Sequence, residues 1–258
     1  MRLSDRVVIV TGSGRGLGKA IALRLAREGA SIAVTGPHRD ELLEVASEIE
    51  AMGRRALAIV VDVSREDEVK TMAERAREGL GPIDVLVNNA GIIGPTSLAV
   101  HIELAEWDRV LAVNLTGAFL CCRAVLPEMM ARRSGKIINI ASMAGKIGYA
   151  LRSPYAASKW GLIGLTRTLA KELGEYNIQV NAVCPGPVAG PRMQRVIEQR
   201  AAQLGQSVHD VERQYLEAAA LRRMVHADDV AALVAFLSSA EADNITGQAI
   251  DVSAGYAL

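Results

Sequence analysis

Seven short runs rich in β-branched residues, separated for most of the chain by longer stretches with helical spacing, restrict what this sequence can build. They are VVIVTG (Val7 to Gly12), SIAVT (Ser31 to Thr35), ALAIVVDV (Ala56 to Val63), IDVLVNNA (Ile83 to Ala90), KIINIAS (Lys136 to Ser142), IQVNAVCPG (Ile178 to Gly186) and QAIDVS (Gln248 to Ser253). Continuous apolar runs of this kind are strands covered on both faces, and strand–helix alternation implies parallel pairing with right-handed crossovers. The intervening segments LGKAIALRLAREG and DELLEVASEIEAMG have helical character, and the second places apolar residues at helical spacing before a closing glycine. The expected fold class is therefore α/β, a doubly wound parallel sheet of about seven strands with helices on both faces. No linker or repeat interrupts the pattern, so residues 1–258 are expected to form one domain. The polar, helical segment 187–223, which opens PGPVAGPRM, delays the last strand and is expected to cover a site.

Composition narrows the function classes. Lys+Arg (29) and Asp+Glu (29) cancel, which gives no electrostatic reason for a nucleic-acid or anionic-membrane partner. Cys121, Cys122 and Cys184 have no metal-ligand spacing, so no metal site is expected and a reducing, cytoplasmic location fits best. The start MRLSDRVVIVTG lacks the apolar region of a signal peptide, and no apolar run approaches the ~20 residues that span a bilayer.

Two local stretches carry chemistry. Thr11 to Gly18 reads TGSGRGLG between the first strand and the first helix, where glycines let backbone approach a pyrophosphate and the helix start offers free N–H groups. Its spacing is neither GxGxxG, because Leu17 breaks it, nor a P-loop, because Ser13 and Ala20 occupy key positions. The second stretch is SPYAASKW, Ser153 to Trp160. Ser153 and Pro154 suit a helix start, with serine as cap and proline at the first helical position, which sets Tyr155 and Lys159 on one face. An ordinary amphipathic helix also explains that pair taken alone.

With TGSGRGLG, NNAG at Asn88 to Gly91, Ser142 at the end of the fifth strand and YAASK at Tyr155 to Lys159, the sequence resembles the short-chain dehydrogenase/reductase family. The motifs match in order and spacing over essentially the whole chain, including a serine thirteen residues before the tyrosine. The resemblance implies a Rossmann-type single domain that moves a hydride between NAD(P) and a secondary alcohol or ketone. Implied cofactor contacts are Thr11, Gly12, Gly14, Arg15, Gly16, Leu17 and Gly18 in the turn, Asp62 and Val63 after the third strand, Asn89, Ala90 and Gly91, and Pro185, Gly186 and Val188 after the sixth strand, with Tyr155 and Lys159.

The family's catalytic set maps to Asn114, Ser142, Tyr155 and Lys159. A phenol of pKa roughly 10 needs about 4 kcal/mol of preferential phenolate stabilisation to work near pH ~7. A positive charge at ~4 Å supplies about that much at an effective dielectric of ~20. Tyr155 would then be general acid or base, Ser142 would hydrogen-bond the substrate oxygen, and Asn114 would order a water beside the lysine.

For the cofactor, Gly36 occupies the position where NAD-preferring relatives carry an acid, while Arg15 and either Arg39 or His38 can face a 2′-phosphate. The balance falls to NADP, with NAD the alternative because Pro37 intervenes before the basic residues; Asp40 and Glu41 read as helix starters. Gly190 replaces the family's threonine in PGxVxT, which leaves backbone at Val188 to serve the nicotinamide. Tyr149, Arg152 and His101 are candidates to touch substrate. Met193, Ile197, Tyr215, Leu216 and Met224 are candidate pocket or subunit contacts, and His209 reads as a surface residue. Partners are thus a small alcohol or carbonyl compound and, by resemblance, further copies in a homotetramer or homodimer built on the helices Leu104 to Arg132 and Tyr155 to Gly174. A non-catalytic dinucleotide sensor or an oligomeric interaction protein of the same fold would have little reason to keep Ser142, Tyr155 and Lys159 together.

Overall fold

In the computed structural model, which describes residues 1–257, each of the seven runs forms a strand. They are β1 (Val7–Thr11), β2 (Ser31–Gly36), β3 (Ala56–Val60), β4 (Val85–Asn88), β5 (Gly135–Ile140), β6 (Ile178–Pro185) and β7 (Ala249–Val252). All pair in parallel in the order β3-β2-β1-β4-β5-β6-β7. Two strands stop short of their apolar runs for identifiable reasons. Val61 N still donates to Gly36 O, but Asp62 N donates to the Glu68 carboxylate at 2.8 Å, which ends β3. Ala141 N donates to Val183 O at 2.8 Å and the chain then turns, so Ser142 caps a short 3-10 turn, Met143–Gly145, instead of closing β5.

The helices are α1 (Gly16–Arg27), α2 (Arg39–Ala51), α3 (Glu66–Leu80), α4 (Leu104–Leu111), α5 (Gly117–Arg132), α6 (Ser153–Leu173), α7 (Pro191–Leu204), α8 (Val208–Glu217) and α9 (Ala227–Ser238). Alternation along the strands assigns them to layers. Val8, Val10, Ile32 and Val34 pack with α1, α2 and α9, whereas Val7, Ile9, Leu86 and Ile137 pack with α3, α5 and α6. Met193, Val196, Ile197, Ala201, Val211 and Tyr215 of α7 and α8 form a small core of their own above the sheet.

Between α4 and α5 the chain makes a π turn, Ala112–Thr116, so Leu104–Arg132 is one continuous 29-residue helix. By length and average composition it could cross a membrane, although polar residues keep each unbroken apolar run short, as the sequence shows. Half of its most apolar window is buried within the fold.

The first turn depends on close packing. A Cβ on Gly18 would overlap Gly12 O, and the Asn89 amide that donates to Thr11 O and Gly12 O at 2.8 and 3.0 Å would also be in the way. Gly18→Ala is therefore expected to destabilise the protein by about 1–3 kcal/mol through overpacking. Urea unfolding checks this, and a midpoint equal to that of the parent would contradict it.

Candidate active site

A cleft of about 910 Å³ opens at the carboxyl ends of the strands, where β1 lies between β2 and β4 and the winding direction reverses. Open parallel sheets place ligands at this point. The glycine turn, the start of α6 and the segment after β6 all line it.

Of the turn residues, Gly12, Gly14, Arg15, Gly16, Leu17 and Gly18 line the cleft; Thr11 does not. Thr11 is buried, and its hydroxyl accepts N–H groups from Asn89 and Ala90 at 3.0 Å each, fastening NNAG to β1. Asp62, Val63, Asn89, Ala90, Gly91, Pro185, Gly186 and Val188 all line the cleft. The start of α1 has no acidic residue in its first turn and no side-chain cap, which leaves its leading N–H groups for an anion. These features fit a dinucleotide.

The adenosine end differs from expectation at two positions. Arg39 begins α2 exposed and outside the cleft, whereas His38, in extended conformation just before it, lines the cleft. Glu41, expected only to start the helix, also lines the cleft and accepts from Arg15 at 3.2 Å. Asp62 is met by Arg109, which the sequence did not single out, at 3.1 Å and by the Ser64 hydroxyl at 2.6 Å. Partial burial pushes this carboxyl up, but the Ser64 hydrogen bonds and Arg109 outweigh burial and hold it below its usual value.

At the other end, Ser142, Tyr155 and Lys159 line the same cleft. The helix carrying the last two begins at Ser153 with Arg152 as its N-cap; Ser153 is not the cap and Pro154 is the second helical residue. Lys159 Nζ lies 5.7 Å from the Tyr155 ring centre and donates to Ile140 O at 2.7 Å. Complete burial, with a smaller push from Arg192, lowers its pKa to about 7. The Ser142 hydroxyl accepts Ala144 N–H at 3.1 Å, and its own proton has no partner among the described residues. Asn114 lies behind the wall, in the π turn. Its amide is locked to both Ile92 backbone groups at 2.8 and 3.0 Å and to Ser158 Oγ at 3.1 Å. It reaches the lysine across Gly91, where a Cβ would stand 3.2 Å from Asn114 Oδ1 and 3.7 Å from Lys159 Nζ.

Gly190 lines the cleft with φ +139°, a conformation that side chains rarely adopt, and the space beside it is open. Tyr149 and Arg152 line the cleft; His101 sits exposed in the turn Ala99–His101, outside it. Met193 and Tyr215 face the cleft, but Ile197, Leu216 and Met224 are not part of its lining, and His209 is exposed. Arg192, Arg195 and Tyr256 were not singled out. Only the fold brings them here. No group of acidic, histidine or cysteine residues among the described residues is arranged to hold a metal.

A parallel sheet whose switch-point crevice joins a glycine-rich helix start to a hydroxyl, a phenol and an ammonium group defines the class of dinucleotide-dependent oxidoreductases. The chain belongs to the short-chain dehydrogenase family, whose model matches residues 6–202. It is 40% identical over 252 residues to a 3-oxoacyl-[acyl-carrier-protein] reductase FabG of Staphylococcus epidermidis, covering 97% of this chain and 98% of the relative. Among solved structures it resembles NAD+-bound xylitol dehydrogenase (TM-score 0.96, 33% identity, 99% of this chain and 100% of the other). It also resembles an actinorhodin polyketide ketoreductase variant with NADPH (TM-score 0.94, 35% identity, 100% and 98%). The protein is thus an NAD(P)-dependent oxidoreductase acting on CH–OH or C=O groups.

The lysine yields a pH prediction. Its pKa falls from 10.5 to about 7 on folding, so the unfolded chain binds more protons at this site between those values and stability rises with pH there. Lys159→Met, free of cofactor, should exceed the parent in stability near neutral pH, and that advantage should shrink by up to ~1.4 kcal/mol per pH unit towards pH ~9. Urea unfolding across that range tests it; parallel curves for the two proteins would refute it.

Proposed function

We propose that the protein interconverts ketones and secondary alcohols with Tyr155 as acid and base, Ser142 as oxygen anchor, and Lys159 and Asn114 in support. The observation that carries this reading is that Ser142, Tyr155 and Lys159 line the same cleft as the glycine turn. When bound, the nicotinamide supplies or accepts the hydride. The unengaged Ser142 proton points the substrate oxygen towards Tyr155, whose hydroxyl delivers the proton in reduction and takes it back in oxidation. Lys159, one helical turn on, offsets phenolate charge. Burial discourages the lysine's own charge in the free protein. Asn114, fixed in a π turn, holds the wall beside that lysine.

NADP is the preferred cofactor in this reading, with NAD the alternative. Arg15 and His38 supply positive or donor groups at the adenosine end. Arg15 exchanges the Glu41 carboxylate for the 2′-phosphate, and that existing pair makes the preference modest. Residues 1–258 act as one catalytic domain, with 187–223 as substrate lid. Exposed Phe119 and Trp160, on α5 and α6, fit a homotetramer or homodimer through those helices. Three buried, unpaired thiols fit a cytoplasmic enzyme, and the balance of 29 basic against 29 acidic residues gives no electrostatic reason for a nucleic-acid or anionic-membrane partner.

Tyr155→Phe is expected to lower kcat by at least about 100-fold, followed at ~340 nm with a panel of alcohols and ketones. Loss of only a small part of the rate would remove Tyr155 from the acid/base role. Arg15→Ala should raise the Kd for NADPH by roughly 10-fold or more and leave NADH nearly unaffected, while Glu41→Gln should tighten NADPH binding. Equal NADPH affinity in parent and Arg15→Ala would end the phosphate assignment.

A further inference from the structure

The cleft contains a buried arginine that meets no acidic side chain among the described residues. Arg152 is 2% exposed, yet one edge of it lines the cleft three residues before Tyr155. It makes two side-chain hydrogen bonds, to Gly94 O at 3.1 Å and Gln199 Oε1 at 3.2 Å, both neutral acceptors. A guanidinium has five N–H donors and stays charged in proteins, so donors are left over and the charge is uncompensated. Its charged and titratable surroundings are the hydroxyls of Tyr149, Tyr215 and Tyr155 and the like charge of Arg200, and burial pushes its pKa below the usual value. Among the described residues the only carboxylates lining the cleft, Glu41 and Asp62, lie beside the glycine turn and after β3 and are already held by Arg15 and Arg109. Arg192 and Arg195 also line the cleft, and neither forms an ion pair among the described residues.

An unpaired buried charge is costly, so an anion brought beside this arginine would be strongly favoured. Its surroundings restrict what that anion is attached to. Tyr149 and Tyr215 share a 2.7 Å contact between their hydroxyls, which occupies those polar tips with each other. With Met193 and Val196 they present mostly apolar surface to the cleft. A neutral polyol could accept from the unused guanidinium donors but would leave the charge uncompensated.

The geometry points to a substrate carboxylate as the anion that completes Arg152, making the substrate an oxo acid or hydroxy acid with an apolar chain. This rests on the oxidoreductase reading above and names the substrate class for the same site. The planar guanidinium fork suits a carboxylate. The carboxylate makes no new bond. The carbonyl carbon gains hydride from NAD(P)H, its oxygen gains the Tyr155 proton, which solvent replaces, and the cofactor leaves oxidised.

The test compares short-chain 2-, 3- and 4-oxo carboxylates with their methyl esters, in turnover and by calorimetric titration into protein saturated with NADP+ or NAD+. The parent should favour at least one acid over its ester by about 10-fold or more in kcat/KM or in binding. Arg152→Gln should collapse that ratio towards one, mainly through KM, and Arg152→Lys should restore part of it. Equal handling of acids and esters by the parent overturns the proposal, as does an Arg152→Gln protein that loses acid and ester together, the result of a purely structural role. The titration reads Arg152 without turnover. Acid-selective binding that depends on Arg152 in a protein inert towards every ketone would therefore support the carboxylate site while counting against the oxidoreductase reading, and neutral ketones turned over without acid preference would do the reverse.

Discussion

The Thr11 hydroxyl holds the two halves of the site together. By accepting the N–H groups of Asn89 and Ala90, each at 3.0 Å, it ties the end of β1 to the turn after β4 at the position where the sheet's winding reverses. Asn89 completes the fastening by donating from its amide to Thr11 O and Gly12 O. Without these bonds several backbone groups would be buried unpaired beneath the cleft, each at a cost of about 1–3 kcal/mol. The glycine turn is therefore rigid before any ligand arrives. Only then can α1 approach closely enough to aim its free N–H groups into the crevice.

A second polar ladder fixes α6. Asn88 donates to Asn139 at 2.9 Å, Asn139 to Thr166 at 2.9 Å, and Thr166 to Leu162 O at 2.8 Å, which links β4 and β5 to α6 inside the core. Lys159, two helical turns before Thr166, is itself bonded to Ile140 O. The helix is thus pinned to the sheet at two heights. Because sliding it would break buried bonds at both, the position of Tyr155 relative to Ser142 follows from core hydrogen bonding more than from anything in the cleft.

The parts of this protein legible in its sequence are those encoded locally. The strands could be read because burial on both faces leaves continuous apolar runs, and the Tyr155–Lys159 pairing because helical spacing fixes it. What escaped depends on rotation and distance. Arg39 and Glu41 lie two residues apart on α2, or ~200° around it, so only one can face the cleft, and the conformation of Pro37 and His38 decides which. Arg109 meets Asp62 from forty-seven residues away with no motif to announce it. Arg152 was legible as a neighbour of the catalytic segment, but its burial and its lack of an acid are properties of packing. The π turn at Asn114 has the composition of ordinary helix, and its extra residue per turn is set by the bonds of the asparagine amide to Ile92.

Those packing properties combine into an electrostatic imbalance. Lys159 and Arg152 are both buried beside Tyr155, each has its pKa lowered chiefly by desolvation, and neither has a carboxylate partner among the described residues. At the adenosine end the cations are half exposed or more and already neutralised by Glu41 and Asp62. Exposed pairs contribute little to stability, while buried uncompensated cations cost a great deal. The free protein therefore carries its electrostatic strain where the chemistry occurs. An anionic ligand that relieves that strain binds the folded state alone, so occupancy and stability rise together by linkage. A neutral ligand would leave the strain in place, which is the physical ground on which a carboxylate-bearing substrate is proposed.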